Sequence, residues 1–160
     1  QVNADVTCIE INPDYVEVRK KHLPNATWIC GDALDPDLLK SLGIFDIAIS
    51  NPPFGNVKNM HSGIYTSNLF EYMIIEAASK IAKEGAFIIP QMSAPFVFSG
   101  TNCSRWLTEG RARQFEKRTG IKLDFNVGIN TAYYKEAWHI SAPCCEIVCC
   151  DFQPEDQSAS

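Results

Sequence analysis

The chain has 160 residues, close to half of them apolar, enough to bury one hydrophobic core. Its net charge of −5 is no general nucleic-acid signature, so any phosphate contact has to come from a local basic patch. No apolar run is long enough to cross a membrane, and seven cysteines in unframed positions argue against a disulfide scaffold and for a reducing cytoplasm.

The first predicted element is a buried-type strand, Val6 to Glu10, ending in a carboxylate. Asn12 is a good N-cap, Pro13 suits the first helical position and Asp14 complements the helix dipole, so a helix follows over 13–22 until Leu23-Pro24 stops it. A short strand, Ala26 to Cys30, leads to Gly31-Asp32, and a second helix is predicted over 36–41. The third strand, Phe45 to Ile49, is short and mostly apolar, as a buried strand of a parallel sheet should be. This β-α-β-α-β order predicts an α/β fold.

The third strand runs into Asn51-Pro52-Pro53-Phe54-Gly55. Each proline fixes its own φ, lacks an N–H and holds the residue before it extended. The turn is therefore stiff, and ligands of open α/β sheets bind beyond the carboxyl ends of the strands. It offers two oxygens, the Asn51 side-chain amide and the Pro52 carbonyl, beside the flat ring of Phe54. Two fixed acceptors can hold both protons of an –NH2 group and favour a more pyramidal nitrogen with a lone pair free to attack. Phe54 would stack on the planar group carrying that nitrogen and keep it in line. Glu10 is placed to accept from a ribose diol and Asp32 from an adenine amino group.

Residues 55–67 read as a polar loop over this turn, with Lys58, His61 and Tyr65 as candidate substrate contacts. Asn68 with Glu71 looks like a capping box opening a helix to about Lys83, whose apolar positions Leu69, Phe70, Met73, Ala77, Ala78 and Ile81 share one face. Gly85 would end it, and Ala86 to Pro90 would be a further buried strand. A helix over 104–119, closed by Gly120, carries basic residues including Arg111 and Arg113, candidates for nucleic-acid contact. Lys122 to Val127 and Glu146 to Phe152 read as closing antiparallel strands, and 153–160 as a polar tail. Cys144, Cys145, Cys149 and Cys150 lack metal-ligand spacing and are read as small buried apolar residues, so no metal is expected.

The Asn-Pro-Pro-Phe tetrapeptide resembles motif IV of amino-methyltransferases that use S-adenosylmethionine (SAM), among them the N6-adenine nucleic-acid enzymes. With Glu10 and Asp32 at the ends of the two preceding strands, the constellation is similar to class I SAM methyltransferases. The resemblance implies a mostly parallel, doubly wound (Rossmann-like) sheet with antiparallel C-terminal strands. It makes Glu10 the motif II acid and Asp32 the motif III acid, with Ile11 and Ala33 flanking the cofactor adenine. Asn51, Leu69 and Phe70 would wall the cofactor pocket, and Asn51, Pro52, Pro53 and Phe54 would form the catalytic turn. The family opens with a strand and a glycine-rich loop, whereas only five residues precede the first strand here and no Gly-x-Gly occurs. The expectation is therefore one catalytic domain over 1–152, lacking its first βα unit and prone to self-association. SAM is the implied cofactor and DNA, ahead of RNA, the implied partner. The other implied readings are N5-glutamine methylation of a protein and a non-catalytic partner subunit.

Overall fold

The structure, a computed structural model, describes residues 4–56, 58, 61, 63–125, 128–133 and 143–152. Its contacts divide the chain into two units, Gln1–Leu42 and Gly43–Ser160. The tail over 153–160 lies outside the described residues.

In the first unit β1 (Thr7–Glu10), α1 (Pro13–His22), β2 (Thr27–Cys30) and α2 (Pro36–Ser41) follow the sequence signals closely. Asn12 is extended and its side chain accepts the Asp14 N–H at 3.0 Å, which frees the chain to turn into α1 at Pro13. Asp35 does the same for α2, accepting the Asp37 N–H at 2.9 Å ahead of Pro36. β1 and β2 pair in parallel with Glu10 opposite Cys30, and the Gly31 N–H donates to the Glu10 carbonyl, so both strands end at one level. Val16, Leu34 and Leu39 are the buried apolar residues of this unit.

The second unit holds β3 (Phe45–Ser50), α3 (Phe70–Ala78), β4 (Ala82–Pro90), a 3-10 turn (Gln91–Ser93), β5 (Phe96–Val97), β6 (Arg105–Trp106), α4 (Arg111–Thr119), β7 (Asp124–Phe125) and β8 (Cys145–Asp151). The main sheet has the order β3-β4-β8-β7, and β5 and β6 form a separate pair. β3 and β4 are parallel and joined through α3, whereas β8 runs antiparallel to both β4 and β7. The α/β, Rossmann-like class with antiparallel C-terminal strands is thus borne out. Tyr72, Met73, Ile75 and Ala77 of α3 are buried with Phe87, Ile89 and Val148 of the sheet. Each such large side chain contributes about 1.5–3 kcal/mol of transfer free energy. No helix among the described residues is long and apolar enough to cross a membrane.

Five expectations are corrected. β3 is a terminal strand of its sheet and is not buried: Ile47 is 51 % and Ile49 77 % exposed. α3 starts at Phe70 without a side-chain cap, because its N-cap is Leu69, which has no acceptor, and the Glu71 carboxylate is engaged elsewhere. It ends at Ala78, and Gly85, expected to stop it, lies mid-strand in β4 opposite Cys150. A side chain there would strike the rings of Phe87 and Phe152, which explains the glycine without any turn. The basic helix begins only at Arg111, since Arg105 and Trp106 form β6 and Gly110 sits at φ 114°; Gly120 closes it in the left-handed conformation as expected. Of the four late cysteines only Cys150 is buried, because side chains alternate along β8 and Cys144 precedes it, exposed.

Candidate functional site

The turn after β3 is held from behind. Gly55 adopts φ 81°, a left-handed conformation open to glycine, and thereby turns both of its backbone groups toward the start of α3. Its N–H donates to Glu71 Oε2 and its carbonyl accepts the Phe70 N–H, both at 2.8 Å. Glu71 is only 1 % exposed, and its other oxygen accepts the Ser93 hydroxyl at 2.8 Å. Ser93 closes the 3-10 turn at the carboxyl end of β4, and its carbonyl accepts the Tyr72 hydroxyl at 2.8 Å. Burial pushes the Tyr72 phenol well above its ordinary pKa, so it stays a neutral donor. One buried carboxylate therefore ties the end of the β3 turn to the end of β4.

The turn's own residues divide by exposure. Pro52 is buried and fixes the backbone, Asn51 and Pro53 are exposed, and Phe54 is half-buried. Among the described residues nothing engages the Asn51 amide or the Pro52 carbonyl, so two acceptors and an aromatic ring stand at the carboxyl end of a parallel strand.

In the first unit Glu10 and Asp32 lie at the carboxyl ends of neighbouring parallel strands, which run about 4.8 Å apart. Glu10 Oε1 accepts the Asn12 N–H and Asp32 Oδ1 the Leu34 N–H, both at 2.9 Å, so each carboxylate is oriented by the backbone two residues on. Ala33 is half-buried and Ile11 is 65 % exposed.

No family model matches the sequence, and no curated protein matches it. Solved structures do. A proposed RNA methyltransferase from Pyrococcus horikoshii superposes with a TM-score of 0.53 at 14 % identity, covering 92 % of this chain and 63 % of that one. The chain has a methyltransferase fold. A TehB-like SAM-dependent methyltransferase from Corynebacterium glutamicum gives 0.49 at 14 % identity over 93 % of this chain and 68 % of that one. A proposed rRNA methylase from Clostridium thermocellum gives 0.45 at 12 % identity over 94 % and 76 %. The chain spans less than two thirds of the length of the Pyrococcus protein.

Within this methyltransferase fold the predicted site residues fall into separate groups. Glu10, Ile11, Asp32 and Ala33 belong to the first unit, whereas Asn51 to Phe54, Leu69 and Phe70 belong to the second. Leu69 and Phe70 are half-buried and sit directly behind Gly55. Lys58 is exposed and His61 half-buried; residues 57, 59, 60 and 62 beside them lie outside the described residues. Tyr65 is 5 % exposed with the Lys80 ammonium 4.8 Å from its ring centre, so its ring serves the fold of the loop.

Arg111 and Arg113 part company. Arg113 donates to Glu116 Oε2 at 2.6 Å and to the Leu107 carbonyl at 2.8 Å, and it lies 5.5 Å from the Trp106 ring, an internal staple. Arg111 stays at the surface, its guanidinium 3.7 Å from the Met92 sulfur. Sequence reasoning missed Glu71 and Ser93 as supports of the turn, and Glu146, which at 0 % exposure accepts from Gln91, Phe98 and Ser99 and fixes the segment after β4. The available signal was an acid inside the apolar run Phe70 to Ala78, since a buried carboxylate has to find donors.

Proposed function

We propose that this protein transfers the methyl group of SAM to an exocyclic amino group, adenine N6 in a nucleic acid, with DNA ahead of RNA. The observation that carries the reading is the anchored Asn51-Pro52-Pro53-Phe54 turn, which sets two acceptors and a ring at the carboxyl end of β3. When bound, SAM supplies an electrophilic methyl carbon on a sulfonium.

The chain's residues fit the nucleoside end of that cofactor. Glu10 has one oxygen on the Asn12 N–H and a second that meets no described partner, suited to a ribose hydroxyl. Asp32, whose Oδ1 accepts the Leu34 N–H, would accept from the adenine amino group, and Ile11 and Ala33 would offer apolar flanks. On the substrate side Asn51 and the Pro52 carbonyl accept the two N–H groups of the target amine, while Phe54 stacks on its ring. With SAM bound, Asn51, the Pro52 carbonyl and Phe54 would hold the amine so that its nitrogen could take the methyl group, the sulfonium leaving as a neutral thioether and the amine's proton passing to water. Because the lone pair is freed by geometry, no general base is required before the attack.

Incubation of the protein with methyl-labelled SAM and separate pools of DNA, RNA and protein tests this. Label recovered as N6-methyladenine in DNA is the expected result, and label in RNA alone selects the RNA reading. Label on a protein glutamine refutes the nucleic-acid assignment, and no label in any pool favours a non-catalytic subunit.

A further inference from the structure

Beside the anchored turn, the loop before α3, the first turn of α3 and the exposed side of α4 line an open pocket of about 230 Å³. Its apolar lining is formed by Leu69 and by Tyr72 and Phe115, whose rings stack 4.5 Å apart at 7°. Its polar lining is Thr66, Ser67, Arg111, Gln114 and Arg118. The two arginines are seven residues apart on α4, about 10.5 Å along the axis and two turns, so they project on nearly the same side. No described carboxylate pairs with either, in contrast to Arg113, which is consumed by Glu116. On α3, Glu76 Oε2 accepts both the N–H and the O–H of Thr66, a residue of the same lining, at 3.0 and 2.7 Å. Ser67 Oγ accepts the Leu69 N–H, which leaves its own hydroxyl proton for a ligand.

We infer that this cavity is a subsite for a backbone phosphate of the nucleic-acid substrate, held by Arg111 and Arg118 with Gln114 and Ser67 as hydrogen-bond donors. The inference rests on the nucleic-acid reading of the turn and adds to it a defined electrostatic contact. An overall acidic chain needs such a local site, because its net charge of −5 repels a polyanion elsewhere. The helix supplies it, with four basic residues against one acidic over Arg111–Thr119. Location supports the substrate role. Leu69, on the wall of the cavity, is followed by Phe70, whose N–H holds Gly55, so phosphate site and amine-gripping turn share one support. Arginine suits the task, since its planar guanidinium meets phosphate oxygens two at a time.

The test is the salt dependence of binding to a fluorescent DNA duplex and to an RNA of the same sequence. Arg111→Gln with Arg118→Gln should weaken binding by about 10-fold or more at low salt and lower the slope of log K against log salt by about 1 for duplex DNA, the loss of one phosphate contact. Arg111→Lys with Arg118→Lys, which keeps the charge, should restore most of the slope. Lys117→Gln removes one charge from the same helix outside the cavity, and should change affinity several-fold less than Arg118→Gln. Matching melting temperatures check that the variants fold. Two results overturn the subsite alone while leaving the function reading intact: an unchanged slope in the double glutamine variant, or equal losses from Lys117→Gln and Arg118→Gln. Absence of nucleic-acid binding by the unaltered protein, with label on a protein glutamine, would instead remove the reading on which the subsite rests.

Discussion

Replacing Glu71 by alanine and, separately, by glutamine distinguishes an anchoring carboxylate from a merely buried one. The carboxylate is 1 % exposed and receives two donors, the Gly55 N–H and the Ser93 hydroxyl, each at 2.8 Å. Alanine orphans both, and an unsatisfied buried donor costs about 1–3 kcal/mol, so the expected loss is about 2–5 kcal/mol once the emptied space is counted. Glutamine behaves differently because the two donors are not equivalent. A backbone N–H can only donate, and it takes the amide oxygen; a hydroxyl can also accept, and it takes the amide N–H. Both contacts then survive, and the expected loss is about 1 kcal/mol or less. Equilibrium urea denaturation measures both variants. Methyl transfer, followed where both are folded, should fall about 10²-fold for alanine, since a displaced turn misplaces the amine, and only a few-fold for glutamine. Equal damage from the two substitutions, or an alanine variant within about 0.5 kcal/mol of the parent, would refute the argument.

Asn51→Ala removes one acceptor but leaves both prolines; transfer should drop by about 10²-fold in a labelling assay while SAM affinity, measured by calorimetry, stays within a few-fold. Gly85→Ala would drive a methyl group into the Phe87 and Phe152 rings and should lower the urea midpoint, a loss of about 1–3 kcal/mol; an unchanged midpoint would mean the rings are not packed there. Cys30, Cys103 and Cys144 are exposed and should react first with a disulfide reagent at mild alkaline pH, whereas Cys150, buried and with its thiol pushed up chiefly by desolvation, should react only on unfolding.

The alternation of strands and helices was legible from the sequence because its punctuation is local. Asn12-Pro13 and Asp35-Pro36 begin helices through contacts spanning two residues, and their predicted boundaries hold to the residue. Where the sequence misled, a long-range partner decided. Glu71 three residues after Asn68 has the spacing of a capping box, but Gly55, sixteen residues upstream, and Ser93, twenty-two downstream, outcompete the local backbone. Gly85 has the appearance of a helix stop, yet its lack of a side chain is required by aromatic rings that face it across β4 and β8. Local grammar places an element; it does not say which neighbour will claim a side chain.

The same division runs through the site. The Asn51–Phe54 turn is legible because its stiffness is covalent, built into two pyrrolidine rings whatever surrounds them. The ranking of the arginines is not, because Arg111, Arg113 and Arg118 carry the same charge on the same helix and differ only in what the fold sets opposite them. Arg113 meets the buried Glu116, whose second oxygen is fixed by the Leu123 N–H, and is thereby withdrawn from any ligand. Arg111 lies against the Met92 sulfur, and both Arg111 and Arg118 share a pocket with a threonine, a serine, a glutamine, a leucine and two stacked rings, none of which can neutralise them. A cation left without a counter-ion beside an aromatic floor keeps its electrostatic demand for an anion. That demand, set by tertiary packing, is what the proposed phosphate subsite on this basic helix would answer.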